Sequence, residues 1–203
     1  MERERSIGRK LPAAPADRRV QTYAAYGLAL LGAVAASVLA APGLTGVLGG
    51  SLAVVMIAIA SIDARYFIIP DKLVLAALGL GLLHAVFAPP QTVIAAVMTA
   101  AARGLVLALA FWALLKAYEW LRRREGMGLG DVKLAFVAGV WLDWLAIALA
   151  VEIAAVTALA VVAVRAWRGH RVTGTTPVPF GAFFAPAIWL GWLLETTVLQ
   201  TLF

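Results

Sequence analysis

The sequence predicts an all-α, polytopic membrane helix bundle with about six to seven transmembrane segments, and three observations carry that prediction. Of the 203 residues, 63% are hydrophobic and only 14% are charged, and the mean hydropathy is +0.92, far above that of a soluble domain of this size. The apolar residues are gathered into long runs, most of them near the 17 to 25 residues needed to cross a hydrocarbon core of roughly 30 Å. The basic residues sit between those runs, at Arg3 to Arg19, Lys116 to Lys133 and Arg165 to Arg171, as cytoplasmic loops of membrane proteins do. The net charge of +6 is therefore a membrane-surface feature, and nucleic acid is not a partner.

Residues 1–20 are polar and basic, contain Pro12 and Pro15, and have no hydrophobic period; they read as a flexible cytoplasmic tail ahead of a membrane-embedded domain over 21–203. The first run, Tyr23 to Ala41, reads as an uncleaved span rather than a signal peptide, because its polar lead is long and further spans follow. Val47 to Ile62, Leu73 to Ala88 and Thr92 to Tyr118 come next, then Val132 to Leu142, Leu145 to Ala166 and Phe180 to Phe203. At 11 residues, Val132 to Leu142 would be only about 16 Å long, so it must be extended by its flanks or lie in a thinned, protein-lined region. Charge parity favours its crossing: only then do Arg165, Arg168 and Arg171 share the cytoplasmic side with the tail and the other basic loops.

Cysteine is absent, which removes disulfides, thiolate metal sites and cysteine nucleophiles together. The two histidines lie apart, His84 in an apolar run and His170 in a basic loop, and read as a packed or interfacial residue and as part of a solvated charge cluster. No cofactor or metal is called for.

Three polar islands face the cytoplasm on this topology: Asp63 to Lys72, Gly126 to Lys133 and Thr173 to Gly181. Asp63 closes the second run and Asp131, after Gly128-Leu129-Gly130, opens the fifth, so both carboxyls should lie at similar depth near the membrane boundary. Two carboxylates within a few Å do not readily both ionise; the pair holds one proton and can activate a water against a peptide carbonyl. Gly128 and Gly130 would let a substrate backbone approach closely and would permit turns closed to larger residues. From the residues alone, each Asp is equally readable as a helix N-cap, or as the partner of a neighbouring Arg65 or Lys133.

The stretch Asp63-Ala64-Arg65-Tyr66-Phe67-Ile68-Ile69-Pro70-Asp71-Lys72-Leu73, followed by Gly128-Leu129-Gly130-Asp131-Val132-Lys133-Leu134 and by Val178-Pro179-Phe180-Gly181, resembles the type IV prepilin peptidase family, the GxGD aspartic membrane proteases. The motifs occur in that family's order and cover about residues 45–195. The resemblance implies that Asp63 and Asp131 are the catalytic pair of an aspartic endopeptidase of the bacterial inner membrane, multi-pass with a cytoplasmic N-terminus. It implies a prepilin or pseudopilin substrate, cut at the cytoplasmic face between its basic leader and its hydrophobic helix, which stays in the lipid bilayer. Long family members carry a Cys-x-x-Cys insert and also methylate the new N-terminus; this cysteine-free chain resembles the short forms, so N-methyltransferase activity is expected to be absent. Its last motif carries Ala182 where a proline is common. The alternatives are a GxGD protease for another membrane substrate and a non-enzymatic scaffold or transport subunit.

Among other residues, Asp71 after Pro70 reads as an N-cap or helix-initiating residue. Lys133 and Arg65 read either as tuning the aspartates or binding substrate, or as snorkelling interface charges. Arg103 falls about 16 Å into the fourth run and needs a partner, for which Glu152 and Glu195 are the candidates. Trp120, Trp141, Trp144 and Trp167 read as interface anchors, and the Ala and Gly stacks as close helix packing.

Overall fold

The computed structural model describes residues 16–87, 92–122, 128–169 and 178–199. Among these described residues seven α-helices follow one another: α1 (Ala16–Ala40), α2 (Leu44–Tyr66), α3 (Asp71–Val86), α4 (Val93–Arg122), α5 (Leu129–Trp141), α6 (Trp144–Trp167) and α7 (Gly181–Leu194), the last continuing into a π-helical turn over Glu195–Leu199. Among the described residues there is no strand, so the fold is all-α. Each predicted apolar run coincides with a helix. Residues 1–15 of the predicted tail lie outside the described residues, as does His170, while the remainder of that tail, from Ala16, is already helical.

Among the described residues, four helical stretches are long and apolar enough to cross a membrane: Leu44–Tyr66, Val93–Leu121, Trp144–Trp167 and Gly181–Val198. The short fifth run begins earlier than the sequence suggested, at Leu129, and its 13 residues rise only about 20 Å. It is lined by protein instead. Leu134, Val137, Ala138, Trp141 and Leu142 are buried in one core with Leu52, Met56 and Ile59 of α2 and Phe184, Ile188 and Trp192 of α7.

Small residues set the helix spacing. A Cβ on Gly139 of α5 would lie 2.6 Å from the Gly104 Cα of α4, so those two backbones touch. A Cβ on Gly49 would lie 2.0 Å from the Trp192 ring, which occupies that space. Trp141 is 2% exposed and donates its Nε1–H to the Ala77 carbonyl at 2.9 Å; it is a core residue rather than an interface anchor. Trp120, Trp144 and Trp167 remain exposed.

Arg103 faces Glu195, one of the two acids expected, through charge, and its direct bridge is to a third acid. Its Nη1 bridges to Asp143, which precedes the first residue of α6, and its Nε donates to the Gly139 carbonyl at 3.3 Å. Glu195 joins the same cluster through the Asp143 N–H, which it accepts at 3.1 Å. Glu152 lies on an exposed face of α6. Counting rise along single helices gave depth but not direction around the bundle, and Asp143, at the end of the chain's shortest run, reads in sequence as a loop residue.

Candidate active site

The site starts from how α2 ends. Phe67 adopts the left-handed conformation (φ 56°, ψ 34°) and its N–H bonds to the Asp63 carbonyl at 2.9 Å, stopping the helix one turn after Asp63. A bulky residue seldom takes that conformation. The reversal turns the chain so that Ile69 lies over the start of two other helices. A Cβ on Gly130, in the first turn of α5, would meet the Ile69 Cδ1 at 2.9 Å, and one on Gly181, at the start of α7, would meet the same atom at 2.7 Å. Pro70 then precedes α3, with Asp71 in its first turn, where a negative charge suits the helix dipole.

Asp63 and Asp131 are the two charged side chains that this packing buries, at 5% and 7% exposure. The Asp63 Oδ2 accepts the backbone N–H of Ala182 at 2.8 Å, from the first turn of α7. This contact requires Gly181, because a Cβ there would stand 2.9 Å from the same oxygen. Asp131 occupies the first turn of α5, outside the four spanning stretches. Burial first, and the Asp63 charge second, push its carboxyl up to about 7, opposed by a backbone hydrogen bond from Gly128. The two acids therefore sense each other directly. Together they form a desolvated pair that can retain one proton near neutral pH, the equipment for activating water.

Among the described residues, no ion pair joins either Asp to a basic neighbour. Lys133 is two residues from Asp131 but bridges to Asp71 of α3, in an exposed pair. Arg65 is exposed and lines a groove with Tyr26, Leu30 and Ser61 on the α1 side of α2. Asp71 makes no capping bond, since Pro70 holds the cap position; it begins the helix and ties it to α5.

The two glycines of the fifth-run motif differ in their surroundings. Gly128 has an ordinary extended conformation (φ −80°, ψ 149°) and a Cβ there would meet nothing closer than 3.8 Å, so no special turn requires it. Gly130 lies against Ile69, which a Cβ there would strike at 2.9 Å. Three contributors escaped the sequence reading: Ile69, Gly181 as the residue that lets α7 approach Asp63, and the N–H of Ala182. The last had a signal, since a proline at that position has no N–H to donate.

The chain is similar in sequence to known proteins. The profile of the type IV leader peptidase family matches residues 50–163, which include both aspartates. The chain is 38% identical over 156 residues to the prepilin leader peptidase/N-methyltransferase of Burkholderia pseudomallei, covering 76% of this chain and 49% of that protein. To the proteins of the same name from Pectobacterium carotovorum subsp. carotovorum and Aeromonas hydrophila it is 33% identical over 161 residues and 34% over 167, covering 78% and 82% of this chain and 55% and 56% of theirs. The chain thus spans about half the length of the curated relatives it matches. No solved structure matches it.

Proposed function

Since this chain belongs to the type IV leader peptidase family, we propose that it is a membrane aspartic endopeptidase that removes the leader from prepilin or pseudopilin substrates at the cytoplasmic face of the bacterial inner membrane. The observation that carries this reading is the burial of Asp63 and Asp131, from different helices, close enough for the charge of one to hold the proton on the other. A structural cap or a surface ion pair would need neither the burial nor the mutual influence.

In the mechanism we propose, Asp131 keeps the shared proton and offers it to the scissile carbonyl oxygen, while the Asp63 carboxylate, oriented by the Ala182 N–H, takes a proton from water. The water oxygen adds to the carbonyl carbon. Collapse of the tetrahedral intermediate breaks the C–N bond as the proton held by Asp63 passes to the leaving amine and one hydroxyl of the intermediate returns its proton to Asp131, which restores the pair. The carboxyls lie at the ends of their helices, so the substrate helix can remain in lipid while its leader reaches them. The chain acts as a peptidase alone, without methylating its product, a reading that rests on its lack of cysteine.

Co-expression with a prepilin from the same genome, read by intact mass, tests both parts. Loss of the basic leader with an unmodified new N-terminus is expected. Full-length prepilin beside well-expressed enzyme would contradict the peptidase reading; a product heavier by one methyl group would contradict only the absence of methylation.

A further inference from the structure

We propose that the opposite end of the bundle carries a second site, a receptor for a phosphoethanolamine group presented by a membrane lipid. A cavity of about 550 Å³ opens there, among the C-terminal ends of α1, α3 and α5, the starts of α2 and α4, and the π-helical turn after α7. Thr45 of α2 lines it, and Asp63 follows 18 residues later on the same helix, roughly 27 Å away by helix rise. It is therefore separate from the aspartate pair.

The polar groups in this cavity are of both signs, and one cation faces two acids: Arg103 bridges to Asp143 and also interacts with the charge of Glu195. Arg103 commits Nε to the Gly139 carbonyl and Nη1 to Asp143, which leaves its Nη2 hydrogens without a partner among the described residues. His84 is held from two sides: it stacks on Trp141 with ring centroids 5.0 Å apart, and its Nε2 accepts the Trp192 Nε1–H at 3.4 Å. Accepting at Nε2 puts the imidazole proton on Nδ1, which donates to none of the described residues. Glu195 accepts the Asp143 N–H with Oε2, and its Oε1 has no partner among them.

A purely structural account explains the Arg103–Asp143 pair, because a guanidinium within a spanning helix needs a counter-charge. Glu195 adds a second acid against that one guanidinium, and the His84 Nδ1–H remains a spare donor. A lone anion would be repelled by Asp143 and Glu195, and a lone cation would leave the remaining Arg103 hydrogens unmet. A phosphate joined by a short arm to a primary ammonium satisfies both ends: phosphate oxygens accept from Arg103 and His84, and the ammonium donates to Glu195 and Asp143. Choline has no N–H to donate, and glycerol has no charge. The apolar remainder of the lining, including Phe87, Ala96 and Ala100, and the position at the end of the spanning helices suit a lipid headgroup with its chains alongside.

The test uses the full chain in nanodiscs with a fixed fraction of phosphatidylglycerol and a variable partner, phosphatidylethanolamine or phosphatidylcholine, with bound lipid read by native mass spectrometry and stability by thermal unfolding. Phosphatidylethanolamine should be retained about tenfold over phosphatidylcholine and raise the unfolding midpoint. Glu195→Gln, which keeps an oxygen for the Asp143 N–H, should abolish that preference while leaving total bound lipid unchanged. Soluble glycerophosphoethanolamine added in detergent separates the sources: stabilisation in nanodiscs alone assigns the site to a lipid, and stabilisation in both supports the headgroup chemistry by itself. Equal retention of the two lipids by the unaltered chain, or a preference that survives Glu195→Gln, would overturn the proposal.

Discussion

The Ala182 N–H donates to the Asp63 carboxylate at 2.8 Å, and through that one bond the end of α2 is fixed to the start of α7. Ala182→Pro removes the donor but keeps a residue tolerated in the first turn of a helix. With the loss of a hydrogen bond to a charged group, worth about 1.5 to 3 kcal/mol to the folded state, the thermal midpoint should drop by several degrees and turnover should fall by about 10- to 100-fold. Steady-state kinetics on a prepilin peptide beside a melting curve would check it; unchanged turnover would show that Asp63 does not need this orientation.

Ile69 occupies the space that Gly130 and Gly181 leave open, which separates two substitutions that look alike in sequence. Gly130→Ala should destabilise by about 1 to 3 kcal/mol through overpacking, and Ile69→Val, by shortening the chain it strikes, should recover part of the loss. Gly181→Ala also meets the Asp63 oxygen, so the same second substitution should restore stability more than activity. Equal rescue of both functions in both backgrounds would count against a role for Gly181 in seating Asp63.

The raised Asp131 carboxyl makes stability depend on pH with a definite sign. Its ordinary value is 3.8 and in the folded protein it titrates near 7, so between those values the folded state binds more protons than the unfolded one. Stability therefore falls as pH rises through that window. Asp131→Asn removes the penalty: the variant should melt higher than the unaltered chain above about pH 7, and the gap should close toward pH 4. A pH-independent gap in the melting temperatures would contradict the shift.

Lys133 and Asp71 are exposed, and a bridge of that kind is worth about 0 to 1 kcal/mol. Lys133→Met and Asp71→Asn should each change stability by no more than that and leave turnover within about threefold of the unaltered chain, since neither side chain bridges to Asp63 or Asp131. A loss as large as that from altering either buried Asp would place Lys133 in the chemistry after all.

Much of the helical architecture was legible because lipid imposes it: a run of apolar residues long enough to cross has little choice but to be a helix. Asp63 and Asp131 were legible for the complementary reason, as acids at the edges of such runs. What the linear pattern did not carry is lateral position. Arg103 reaches Asp143 rather than Glu152 because helix rise says nothing of which face a neighbour presents, and Trp141, placed at a predicted helix end, turned inward to Ala77. The short α5 was doubtful as a lone span; buried among other helices, it needs no lipid-spanning length of its own. The Ala182 bond is made by backbone, which a reading of side chains passes over.

The central claim is that Asp63 and Asp131 act as one catalytic unit. Asp63→Asn and Asp131→Asn, each expressed and membrane-inserted at the level of the unaltered chain, should both leave a co-expressed prepilin with its leader intact, and the double variant should be no worse than either alone. Leader removal that persists in either single variant would contradict it.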